Sequence, residues 1–124
     1  MADAWVGLGR ALSRTGKLEY AEAAFRTAIE ADAEHPAARY RLSMTLWATS
    51  RFDEAMAEMT ALTDDGDYSE AHERLAVWSY YVGDHAEAWR HVHRARALGQ
   101  DVPAQLIPLL QQHMLDPGAE PHAD

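Results

Sequence analysis

The 124 residues include no cysteine, which removes disulfides, thiolate metal ligands and thiol nucleophiles from the available chemistry. Long apolar runs are missing too. Nowhere do about 18 apolar residues follow one another, the length a membrane-crossing helix requires, and Met1-Ala2-Asp3-Ala4-Trp5 has no basic stretch leading into an apolar one. The expected location is therefore the cytoplasm. Positive charge is scarce: 11 Lys and Arg stand against 20 Asp and Glu, for a net charge of −9. Attraction to a phosphate backbone or an anionic lipid surface depends on cationic side chains displacing counterions, so neither nucleic acid nor membrane is expected as a partner. Val, Ile and Thr are few beside Ala, Leu and Glu, a balance that favours helix over sheet. The length suits one compact domain.

What the chain does contain is a period. Leu8, Leu42 and Leu75 recur at two nearly equal intervals, the second shorter by a single position, and the same two intervals relate Ala21, Ala55 and Ala88, then Phe25, Met59 and Val92. They also relate Gly16, Ser50 and Gly83, and Ala28, Leu62 and Ala95. A helix-turn-helix unit of this length cannot cover its own apolar face, so it stacks on a neighbour, and small residues fall where helices approach closely. Ala21, Ala55 and Ala88 are expected at those approaches. Gly16 and Gly83 suit the left-handed backbone that commonly ends a helix, and Ser50 must adopt it less comfortably.

With Trp5, Leu8-Gly9, Leu12, Gly16, Ala21, Phe25 and Ala28 in place, the first unit resembles the tetratricopeptide repeat, a likeness that covers most of the chain. Departures grow along it: Arg39 and His72 stand where Trp5 stands in the first unit, Ser43 and Ala76 replace Gly9, and the usual helix-ending proline is absent after Ile29, with Pro36 following later. The resemblance implies an all-α fold, a right-handed α-solenoid of three helix-turn-helix units with a C-terminal capping helix. The expected organisation is a single domain over 1–115, with repeats at about 2–35, 36–68 and 69–102 and a capping helix at about 103–115, then a disordered tail over 116–124. Leu109 follows Leu75 by the longer of the two repeat intervals, which marks the last helix as a truncated fourth first-helix. Pro108 either kinks it or sits near its start.

Each first helix carries two apolar stripes on roughly opposite sides, which a helix packed on one side would not need. In the second unit Leu42 and Leu46 form one stripe, and Tyr40, Met44, Trp47 and Ala48 the other. In the third, Leu75, Trp78 and Val82 oppose Val77, Tyr80 and Tyr81; the first has Val6, Arg10, Ser13 and Arg14 on the corresponding face. In the family resembled, first helices line a concave groove that receives a peptide or helix of a partner protein. The implied contact residues are Val6, Arg10, Arg14, Tyr40, Arg41, Met44, Trp47, Arg74, Val77, Tyr80 and Tyr81. The competing reading is that the rings fill space between adjacent first helices. Arg10, Arg14, Arg41 and Arg74 against Asp3, Glu70 and Glu73 make this face slightly positive on an acidic body. The expected ligand is thus an acidic segment with apolar anchors, gripped by guanidinium groups. A Lys/Asn/Arg clamp for a partner's C-terminal carboxylate, known in one branch of the family, is not matched, since Val6, Arg10 and Arg41 stand where a Lys and two Asn belong and only Arg74 agrees.

Catalysis is not expected, nor is a metal or cofactor. Of the seven histidines, His91 and His93 are two apart on a predicted helix and point about 200° from each other, so they cannot share a metal. His72 and His85 fall near helix ends. Gly7 and Gly9 lie in a helical pattern with no preceding strand, which rules out a phosphate-binding loop. Two alternatives to a scaffold remain. One is self-association, with Trp5 and its neighbours leaving an apolar edge that a second copy covers in a homodimer. The other is a client chaperone of the bacterial secretion type.

Overall fold

The computed structural model describes residues 1–65 and 68–117. Among them are seven helices and no strand: α1 (Ala2–Arg14), α2 (Leu18–Ala31), α3 (Pro36–Ala48), α4 (Phe52–Asp65), α5 (Ser69–Tyr81), α6 (His85–Ala97) and α7 (Leu106–His113). The chain divides into two compact units, Met1–Asp65 and Gly66–Asp124. In the first, α1 packs on α2, α2 on α3 and α3 on α4, and α1 also reaches α3; in the second, α5 packs on α6 and α7 closes on α6. Within each unit this succession is that of a tetratricopeptide-like helical solenoid.

The repeat is written into the turns. Lys17 N–H donates to the Leu12 carbonyl at 2.9 Å, Arg51 to Leu46 at 2.9 Å and Asp84 to Ser79 at 2.8 Å, and each is joined by an inner bond from Gly16 to Ser13, Ser50 to Trp47 and Gly83 to Tyr80. This is the Schellman closure, which satisfies carbonyls a helix end would otherwise leave bare and requires a left-handed residue just past the end. Gly16 (φ +79°) and Gly83 (φ +86°) supply it, and Ser50 takes the same conformation at φ +66°. A fourth closure, Gln100 to Ala95 at 2.9 Å around Gly99, ends α6.

Close packing falls where the sequence places its small residues. Ala21, Ala55 and Ala88 are all fully buried. A Cβ built on Gly9 would run into the edge of the Phe25 ring, so the α1–α2 approach is shaped for glycine. At the matching position of the second unit, the buried Ser43 hydroxyl donates to the Ala55 carbonyl at 2.6 Å, replacing lost packing with a hydrogen bond. Pro36 opens α3 as its first residue, where its missing N–H costs nothing. His35 caps that helix: its Nδ1 accepts from Ala38 N–H at 3.2 Å, so Nε2 carries the proton it donates to Asp3 at 2.6 Å. That bond holds the Asp3 carboxyl below its ordinary range.

In the second unit, α7 buries Leu106 and Leu110. Pro108 is its third residue, within the first turn whose N–H groups have no intrahelical acceptor, so the helix keeps its hydrogen bonds. Met114 follows in an extended conformation; its carbonyl accepts from Trp89 Nε1 at 3.0 Å, and Asp116 meets His93 Nε2 at 2.7 Å. The tail expected to be disordered lies, from residue 118 on, outside the described residues. No helix among the described residues is long and apolar enough to cross a membrane.

An arginine-rimmed concavity in the first unit

Helix α1 places Arg10 and Arg14 one turn apart with Ser13 beside them, and α3 places Arg41, Met44, Thr45 and Ala48 along one face, as the helical period requires. Between them opens a concavity of about 340 Å³ that also reaches Leu18 and Phe25 of α2. Phe25 is 1% exposed, so its ring is a rigid floor, held in place by the bare backbone of Gly9. The result is an apolar bottom with a rim of three guanidinium groups. None of the lining side chains is a carboxylate.

The rim is unusual within this acidic chain. The other arginines of the first unit are paired, among them Arg26 with Glu22 at 3.0 Å and Arg39 with Glu58 at 2.8 Å; in the second, Arg96 pairs with Asp101 at 3.3 Å and Arg90 with Glu87, while Arg74 and Arg94 have no ion pair among the described residues. Arg51 bridges Glu22 and Glu54, both at 2.7 Å, and pulls the Glu54 carboxyl below its ordinary range. Among the described residues Arg10, Arg14 and Arg41 have no such partner, and all three are exposed. Like charges one turn apart on a helix repel by a few tenths of a kcal/mol. That repulsion between Arg10 and Arg14 is relieved by an anion and by nothing the lining supplies.

Of the eleven residues expected to form the contact surface, the structure brings Arg10, Arg14, Arg41 and Met44 together around this concavity. Val6 is 8% exposed and has little surface to offer a visitor. Tyr40 and Trp47 are half-buried on α3, with the Trp47 ring 4.6 Å from that of Phe52. The remaining four lie in the second unit. Val77 and Tyr80 pack against its core, Tyr80 also meeting His85 and His113 at 5.7 and 5.9 Å. Tyr81 stands out into solvent at 72% exposure. Arg74 is half-buried, and its Nε lacks a hydrogen-bond partner among the described residues. Leu18, Phe25 and Thr45 were not singled out as site residues from the sequence, because each also fits the core pattern of its helix.

The histidines pair in ways that sequence spacing does not reveal. His72 and His91, from α5 and α6, are buried with their Nδ1 atoms 3.0 Å apart. Burial, then the His72 neighbour, pushes the His91 imidazole down to about 4. His85 and His113 stack face to face at 4.5 Å. Among the described residues no three His, Asp or Glu side chains gather in a way that could hold a metal ion.

Paired helices in series, closed by repeated turns and carrying an open concavity with a charged rim, define a helical-repeat protein. The tetratricopeptide repeat profile matches residues 14–67, a stretch that includes α2, α3 and α4. The TPR repeat-containing thioredoxin TTL4 of Arabidopsis thaliana is 30% identical over 107 residues, 86% of this chain and 16% of that protein. Residues 14–67 belong to the tetratricopeptide repeat family, a non-catalytic repeat that mediates protein–protein interaction. The chain spans about a sixth of the length of that relative.

Proposed function

We propose that this chain is a scaffold or adaptor, not an enzyme, and that its first unit receives a peptide or helix of a partner protein in the concavity between α1 and α3. The partner segment is acidic with apolar anchors. One observation carries this reading: three arginines without carboxylate partners surround an apolar floor, in a chain whose acids outnumber its bases by 20 to 11. Carboxylates approaching Arg10, Arg14 and Arg41 make charge-assisted, bidentate hydrogen bonds, while an apolar side chain settles on Leu18, Phe25 and Met44. Rings of Trp and Tyr are frequent interface anchors, so Tyr40 and Trp47 extend the contact along α3. In the second unit, Arg74, Val77, Tyr80 and Tyr81 of α5 form the corresponding contact surface.

Isothermal titration of the chain with a short peptide alternating Glu with Leu and Phe tests this. The Glu peptide binds and its Lys counterpart does not. Arg10→Gln with Arg41→Gln weakens binding by about tenfold or more, roughly 1.4 kcal/mol, while circular dichroism keeps the helical signal. Equal binding of both peptides, or undiminished binding by the double variant, overturns the proposal.

A further inference from the structure

The charge at the concavity exceeds what one carboxylate neutralises. Three guanidinium groups line it, no acidic residue does, and none of the three is paired elsewhere among the described residues. Ser13, half-buried on the same wall, adds a hydroxyl with no hydrogen bond among the described residues. A phosphoryl monoester carries about −1.5 to −2 charges at pH 7 and three strong acceptor oxygens. The planar fork of arginine matches phosphate bidentately, and weak hydration makes it the cation of choice for such groups. Two guanidinium groups from α1 and one from α3 therefore offer a dianion more donors than a carboxylate can use.

We propose that the concavity recognises a phosphorylated serine or threonine in a partner's segment. The phosphoryl oxygens lie among Arg10, Arg14 and Arg41, and a neighbouring apolar side chain rests on Phe25 and Met44. This rests on the adaptor reading above and names the anion it takes. Phosphorylation of the partner then switches binding on, because the unmodified hydroxyl leaves the repulsion between Arg10 and Arg14 in place.

Fluorescence anisotropy on the full chain provides the test, with three labelled peptides that share flanking Leu and Phe and carry Ser, phosphoserine or Glu at the centre. The phosphoserine peptide binds about tenfold more tightly than the Glu peptide. Arg14→Gln and Arg41→Gln each remove that preference without changing the circular dichroism spectrum. Inorganic phosphate in excess displaces the phosphoserine peptide from the native chain. If phosphoserine and Glu peptides bind equally and both respond to the arginine changes, the phosphoryl assignment falls and the acidic-peptide reading stands. If none of the peptides binds, both fall. A preference that survives Arg14→Gln with Arg41→Gln also overturns the assignment.

Discussion

At Gly9 and Phe25 a single missing methyl group decides how near two helices come. Alanine at Gly9 improves helix propensity by about 1 kcal/mol, but its Cβ meets a ring that is 1% exposed and has nowhere to move. Overpacking of this kind costs about 1–3 kcal/mol, so Gly9→Ala lowers stability, as a urea titration will show. The other units carry smaller partners, Ser43 with Met59 and Ala76 with Val92 at the matching positions. Adding Phe25→Val to Gly9→Ala copies the third unit and recovers part of the loss, so the two changes are not additive. Ser50 is the converse case, a side chain at φ +66° where glycine belongs. A left-handed L-residue costs about 1–2 kcal/mol, and glycine returns part of that in unfolded-state entropy. Ser50→Gly stabilises the chain by about 1 kcal/mol, read as a higher urea midpoint with an unchanged slope.

At the scale of helices, α5 and α6 are joined by a buried contact between His72 and His91. The His91 imidazole is held down to about 4, against an ordinary 6.5, first by burial and then by His72, with Glu87 at 3.6 Å opposing the shift. The unfolded chain therefore takes up a proton between pH 6.5 and 4 that the folded chain refuses. Stability is full above about pH 6.5 and falls as pH is lowered through that window. Urea midpoints measured from about pH 7 down to about pH 4.5 fall in the native chain, and the slope against pH is shallower in His91→Leu. The sequence could not announce this pair, because His72 and His91 belong to different helices and meet only through the rotation of the two about their axes. What it did announce were positions governed by local rules, Gly16 and Gly83 past helix ends and alanines at close approaches, whereas Pro36, read as a late helix-ending proline, opens α3.

Across the whole molecule, the two nearly equal intervals made the repeat legible, because they fix small and large side chains at contacts that recur. The rim of the concavity was only half legible. Spacing put Arg10 and Arg14 on one face of α1, but whether an arginine is engaged depends on distant partners, such as Glu22 of α2 for Arg51 at the start of α4. The floor was hidden for a similar reason: Phe25 reads as core, and it is core, yet its ring also faces the opening. Within the first unit Arg26, Arg39 and Arg51 are engaged by carboxylates, which leaves the unpaired guanidinium groups of that unit gathered at this one place.

The Schellman closures join groups close together along the chain, at Leu12 with Lys17, Leu46 with Arg51, Ser79 with Asp84 and Ala95 with Gln100. Each reversal is therefore specified by local contacts, and no distant partner is needed to fix where a helix ends. A mutation at one such end thus disturbs the direction of the helix beside it and leaves the other reversals, each closed by its own residues, unchanged.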